Sequence, residues 1–141
     1  MTRKEQLTGL IYKEECYAII GACMAVYKNK GCGFLEPVYH ECVQIEFDFQ
    51  AIPFLSKPPH TLKYRYRTLV QTFSPDFLCY DKIILEIKAV SALVDEHRAQ
   101  VLNYLAATGS KLDLLVNFGH YPRIEYERLL PKTHEAADLH F

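Results

Sequence analysis

The chain has no apolar run long enough to cross a bilayer. Its longest, Tyr17 to Tyr27, falls well short of the roughly 20 residues that a spanning helix needs. The first ten residues, Met1 to Leu10, are polar and lack the hydrophobic segment and cleavage site of a secretory signal, so no membrane association and a cytoplasmic location are expected. Five cysteines, Cys16, Cys23, Cys32, Cys42 and Cys79, are odd in number and form no C-x-x-C pair. Neither a disulfide framework nor a zinc knuckle is indicated, and the thiols read as small buried hydrophobes. The six histidines, His40, His60, His97, His120, His134 and His140, show no metal-ligand spacing, which argues against zinc. An excess of charge of one sign is also missing. A net charge of −1 argues against a protein that coats nucleic acid non-specifically, although a nuclease needs basic residues along only one groove. Internal repeats, linkers and low-complexity segments are absent.

What is present suits one globular domain. The 141 residues are half hydrophobic and 23% charged, enough for a single core without staples. Leu7 to Lys30 reads as one long helix, with Leu10, Tyr17, Ile20, Met24 and Tyr27 as its apolar side, Lys4, Glu5, Lys13 and Glu14 on or near a solvated face, and "NKGCG" as its stop. A second helix, Glu36 to Gln50, has Pro37 in its first turn and an expected buried stripe of Val38, Cys42, Ile45 and Phe49. Glu36 stands where the helix macrodipole favours an anion, so a plain capping role suits it as well as chemistry does. Tyr39, one turn on, reads as packing.

From Ile52 to Phe73 prolines prevent helix, and "TLKYRYRTLVQTF" alternates as two strands joined by a turn near Arg65 to Arg67. Lys57, Lys63, Arg65 and Arg67 form a basic cluster with Tyr64 and Tyr66 interleaved. It suits contact with a phosphate backbone, and equally a charged strand edge that discourages aggregation. Ser91 to Ala107 turns helical from about Asp95 and closes at Gly109; "KLDLLVNFG" is a buried strand and Arg123 to Leu129 a short one. The expected architecture is α/β, a mixed central β-sheet flanked by helices.

Ser74 to Val90, SPDFLCYDKIILEIKAV, is where charge enters the apolar core. Residues two apart on a strand share a face, so Ile83, Leu85 and Ile87 point one way while Ile84, Glu86 and Lys88 point the other. A hairpin around Tyr80, Asp81 and Lys82 would bring Asp76 beside Glu86. Two converging carboxylates suit a hard cation such as Mg²⁺, and a lysine beside them can orient the attacking water. The same residues also fit a structural Glu86–Lys88 ion pair at a strand end, and the triplet alone does not choose. On the later helix Gln100 and Tyr104 are an i, i+4 pair. A core-facing glutamine there needs a hydrogen-bond partner, so it either faces solvent or serves the polar site.

Three separated pieces coincide with a known pattern. Gly33, Glu36 and Tyr39 match G-x-x-E-x-x-Y; Pro75, Asp76, Glu86 and Lys88 match a PD-(D/E)XK core; and "EHRAQVLNYLAATGSKLDLLVNFG" resembles the same family's C-terminal block. The sequence resembles the GxxExxY proteins, a branch of the PD-(D/E)XK nuclease superfamily, from the first helix to Gly119. It departs from them at Asp113, where a small residue is usual, and in lacking a glycine near Gln50 to Ile52.

The resemblance implies a restriction-endonuclease-like core over about residues 7–119, with 120–141 as a C-terminal extension of one 141-residue domain. It implies Mg²⁺-dependent cleavage of nucleic acid, DNA first, with Mn²⁺ able to substitute. Asp76 and Glu86 would be the principal metal ligands, with Glu36 close by; Lys88 would hold the attacking water. Gln100 and Tyr104 resemble a Q-x-x-x-Y element that positions the site and the DNA end, while His97 receives no role. A homodimer embracing a duplex is compatible with this. The alternative is a non-catalytic nucleic-acid-binding or oligomeric accessory module that retains the fold.

Overall fold

The structure, a computed structural model, describes residues 10–132. The first helix, α1 (Lys13–Lys30), begins after Tyr12, whose left-handed backbone (φ 55°) ends any continuation from upstream. Lys4, Glu5 and the expected first turn at residues 7–9 lie outside the described residues. Glu14 and Glu15 at its start and Lys28 and Lys30 at its end complement the helix dipole. Its buried side is Cys16, Ile19, Ile20, Ala22, Cys23 and Val26. Of the expected stripe, Ile20 is buried and Tyr27 half-buried, whereas Tyr17 is 84% exposed and Leu10 and Met24 are also exposed.

Helix α2 (Glu36–Phe49) corrects the expected stripe more fully. Tyr39, Val43 and Phe47 are buried, while Val38, Ile45 and Phe49 face solvent and Cys42 is half-buried. The helix is apolar on two sides, and the core takes the one that presents rings to Phe54, Phe77 and Phe118. The preceding turn explains two positions of the G-x-x-E-x-x-Y pattern. Gly33 has φ +114°, a backbone conformation that a side chain would strain. Tyr39 stacks on Phe118 at 4.7 Å, and its hydroxyl donates to Gly31 O (2.6 Å) and accepts from Phe34 N (3.2 Å).

The remaining elements are β1 (Phe54–Ser56), β2 (His60–Tyr64), β3 (Arg67–Phe73), β4 (Phe77–Cys79), β5 (Ile83–Lys88), α3 (Asp95–Thr108), β6 (Asp113–Asn117) and β7 (Glu125–Leu129). Five strands form one mixed sheet in the order β1-β4-β5-β6-β7, in which only β5 and β6 run parallel. The crossover through α3 supplies the long connection that a parallel pair requires. Strands β2 and β3 form a separate ribbon, turning through Arg65 (φ 48°) and Tyr66 (φ 66°). Two successive left-handed residues are what a tight right-twisted hairpin needs, here without glycine. The short β1 was not expected as an element of its own.

Helices α1 and α2 cover one face of the sheet, where Ile83, Leu85 and Ile87 pack with Leu112, Leu114 and Val116. Helix α3 covers the other, with Leu93, Val101 and Leu105 against Leu115. This is the expected mixed sheet flanked by helices. Burial on both faces accounts for the near-continuous apolar runs of β5 and β6.

The end of β5 is fastened to the end of β6. Buried Asn117 accepts from Val90 N and Gly119 N through Oδ1 (3.0 Å each), and donates through Nδ2 to Val90 O and Glu125 Oε1 (2.9 Å each). Gly119 runs so close to Val90 that a Cβ there would meet its carbonyl oxygen at 2.4 Å. Lys88 is thus held two residues from a rigid corner. Among the described residues, no helix is long and apolar enough to cross a membrane.

Candidate active site

The β4–β5 hairpin forms where it was expected, turning through Tyr80 and Asp81, both with positive φ. Its register pairs Phe77 with Leu85, which sets Asp76 opposite Glu86 one step further on. Asp76 Oδ2 accepts from Ile87 N at 2.7 Å, so a backbone donor orients the carboxylate. Glu86 is 6% exposed, and its Oε1 has no hydrogen-bond partner. Burial first, and the nearby Asp76 carboxylate second, push the Glu86 carboxyl up to about 8.

Helix α2 adds Glu36 and, one turn later, His40. With Pro37, Lys57 and Asp76 they line a cavity of about 230 Å³. Glu36 stands in the first turn of α2, where the helix dipole favours an anion, as a plain capping role also requires. Its carboxyl is raised above the usual range by burial and then by Asp76. The His40 ring stacks on Phe77 at 4.2 Å, with Nδ1 3.5 Å from Asp76 Oδ1 and Nε2 3.0 Å from Ser56 Oγ. Burial lowers its pKa, against the pull of Asp76.

Helix α3 approaches from the other face. Lys88 Nζ donates to Gln100 Oε1 at 3.1 Å, and Gln100 Nε2 donates to Tyr104 OH at 3.0 Å. Gln100 faces solvent and is at the same time hydrogen-bonded to Lys88 and Tyr104. Glu86 and Lys88 form no ion pair among the described residues, so the structural pairing left open by the triplet is not what holds this strand end. The Tyr104 ring stacks on Phe73 at 4.3 Å, which joins the root of the β2–β3 ribbon to the site. His97 closes the start of α3, its Nδ1 accepting from Val94 N.

The structure brings Glu36, Asp76, Glu86, Lys88, Gln100 and Tyr104 to one end of β5, with Lys57 at the margin. Lys63, Arg65 and Arg67 lie out on the exposed ribbon. Two side chains escaped notice as parts of the site. His40 was signalled only by its i, i+4 spacing from Glu36. Asp113, noted as a departure from the family pattern, sits on β6 opposite Ile84, on the face that carries Glu86. It is wholly buried, neither carboxylate oxygen has a partner, and its pKa is raised well above the usual value by burial and then by Glu86.

Among the described residues no group of three or more histidine, cysteine, aspartate or glutamate side chains is placed so that it could hold a metal ion. The chemistry of the donor set nonetheless fits a hard divalent cation. Glu36, Asp76 and Glu86 offer oxygens, the carboxyls of Glu36 and Glu86 are each raised by burial and then by the Asp76 charge, and Glu86 Oε1 lacks a partner.

Residues 13–129 match the PD-(D/E)XK nuclease superfamily, and the chain belongs to that superfamily. Among solved structures it is similar to one titled "Crystal structure of SSO0001", with a TM-score of 0.57 and 15% identity, over 74% of this chain and 55% of that one. At that identity the likeness speaks for the fold alone, and this chain spans about half the length of that protein. No curated protein matches the chain.

Proposed function

We propose that the protein hydrolyses phosphodiester bonds of nucleic acid, DNA in the first instance, with a divalent cation, Mg²⁺ or Mn²⁺, and that it belongs to the GxxExxY branch of its superfamily. The observation that carries this is the meeting of Asp76 and Glu86 beside a lysine held by Gln100. Asp76 and Glu86 would hold the ion, with Glu36 bound directly or through water. A cation bound there supplies polarisation of the scissile phosphate and a more acidic water.

The protein's own groups do the rest. Ile87 N–H fixes the Asp76 carboxylate in one orientation, and Gln100 holds the Lys88 ammonium at the strand end. From there the ammonium orients the attacking water and offsets charge developing on the phosphate. Tyr104 fixes the Gln100 amide through its hydroxyl. Lys57 gives the cavity a cationic rim.

The test is a cleavage panel over single-stranded, double-stranded, nicked and branched DNA with Mg²⁺ or Mn²⁺. The parent should cut at least one substrate, and Asp76→Ala and Lys88→Ala should not; equal cutting by parent and variants would sink the proposal. The net charge of −1 favours a second reading, a binding module that has lost its chemistry. Calorimetric Mn²⁺ titration decides between them, since that module would bind no ion, or bind it indifferently to Asp76→Asn.

A further inference from the structure

We propose that the β2–β3 ribbon is a stacking platform for unpaired bases, so that the nucleic acid this chain takes carries a single-stranded stretch beside the bond to be cut. The inference rests on the hydrolytic reading above and deepens it by naming the form of the substrate.

The composition of the ribbon sets it apart. From Phe49 to Pro75 there is no aspartate or glutamate, although the chain holds 17 of them, and the cations of that stretch are Lys57, Lys63, Arg65 and Arg67. Among the described residues Lys63, Arg65 and Arg67 enter no ion pair. A chain of net charge −1 thus has a local attraction for a polyanion.

Its packing is equally distinct. Strands β2 and β3 pair only with each other, and every residue from Lys63 to Thr72 faces solvent. A two-stranded ribbon is marginal in water by itself. Here it is fastened at its root, where Phe73 stacks on His60 (5.3 Å) and on Tyr104 (4.3 Å). Beyond that root it adds nothing to the core and offers only surface.

The tip shows what kind of surface. Tyr66 is fully exposed and Tyr64 is 66% exposed, with the Arg65 guanidinium 5.8 Å from the centre of the Tyr64 ring. Arg65 and Tyr66 both hold a left-handed backbone that asparagine and glycine would adopt with less strain. The strained turn sets a ring and a guanidinium at the far end of the ribbon, and strain of this kind gathers at binding sites. Rings interleaved with cations suit a single strand, whose phosphates follow the cations while its bases stack on the rings. In a duplex the bases are already stacked on one another and show only their edges to a ribbon, so the ring faces would go unused. At about 3.3 Å per residue the tip lies roughly 20 Å from Phe73. That is the length of about six stacked nucleotides.

The test uses the full chain in EDTA, so that binding is read without cleavage. The chain has no tryptophan, and Tyr66→Trp therefore places a single reporter at the tip. Its fluorescence should be quenched by a mixed-sequence DNA single strand and not by the matching blunt duplex. Joint replacement Tyr64→Leu and Tyr66→Leu should weaken single-strand binding by about tenfold or more, with little change for the duplex and an unaltered salt slope. Tyr66→Phe should keep the parent's affinity. Both rings lie in solvent, so these variants should melt with the parent. Equal binding of single strand and duplex by the parent, affinity indifferent to the loss of both rings, or no binding of either DNA overturns the platform. Ring-dependent binding by a chain that cleaves nothing would overturn the hydrolytic reading and leave the platform standing. Cleavage indifferent to the rings and to strandedness would do the reverse.

Discussion

Lys88 Nζ and Gln100 Oε1 meet across 3.1 Å, a contact that ties the last residue of β5 to the helix on the far side of the sheet. Lys88 is an ordinary flexible side chain until that acceptor holds it. Gln100→Leu should therefore reduce turnover by about 100-fold with little change in substrate affinity, since a misplacement of an ångström at a reacting centre costs about that much. Thermal stability should move by less than about 0.5 kcal/mol, because Gln100 lies at the surface. Single-turnover kinetics beside a melting curve check both.

Glu86 makes stability depend on pH. Its carboxyl, raised from 4.5 to about 8, takes up a proton on folding, so its contribution is fully present below pH 4.5 and is lost as the pH climbs to 8. Glu36 and Asp113 shift in the same direction, while His40, lowered from 6.5, acts oppositely and only at lower pH. In EDTA the melting temperature should fall between pH 5 and pH 8. Glu86→Gln should flatten that fall, with a gain of roughly 2–3 kcal/mol at pH 7 and almost none at pH 4. Melts across that range measure it.

Asp113 should behave as a pure cost to folding near neutral pH. A buried carboxylate without a partner is expensive to ionise, so Asp113→Asn should stabilise by about 1–3 kcal/mol at pH 7 and make no difference at pH 4. Burial among neighbouring acids also raises it, Glu86 foremost. The gains from Asp113→Asn and Glu86→Gln should therefore sum to less than additivity in a double-mutant cycle followed by denaturant titration.

The G-x-x-E-x-x-Y residues should separate by kind. Tyr39→Phe removes the hydroxyl shared by Gly31 O and Phe34 N, and should cost about 1–2 kcal/mol of stability. Glu36→Gln should leave the melting temperature nearly unchanged or slightly raised, and weaken Mn²⁺ binding. Paired melts and calorimetry on the two variants distinguish a residue that builds the turn from one that serves the cavity.

The cations of the ribbon should act through charge alone. Replacing Lys63, Arg65 and Arg67 together by alanine should weaken nucleic-acid binding uniformly across sequences. The salt dependence of log K against log salt should flatten by up to about 2–3, while Mn²⁺ affinity stays the same. Fluorescence anisotropy at several salt concentrations provides the slopes.

The central strands and the meeting of their charged side chains were legible in the chain because the signal is local. Glu86 and Lys88 break an apolar run, Asp76 comes one short hairpin earlier, and Gln100 and Tyr104 are one helical turn apart. The face of α2 was not legible. Val38, Cys42, Ile45 and Phe49 make as good a stripe as Tyr39, Val43 and Phe47, and the choice falls to Phe77 and Phe118, residues distant in sequence. His40 was missed for a related reason. Its partners Ser56 and Asp76 come from β1 and the start of β4, and β1, three residues at a sheet edge, leaves almost no periodicity to read.

Phe73 closes the ribbon at its base and lies flat on Tyr104, the ring that holds Gln100 and, through it, Lys88. The ribbon that carries Arg65 at its turn is thus joined to Lys88 by three contacts in series, Phe73 on Tyr104, Tyr104 with Gln100, and Gln100 with Lys88, so the exposed ribbon and the buried strand end share one continuous run of side chains.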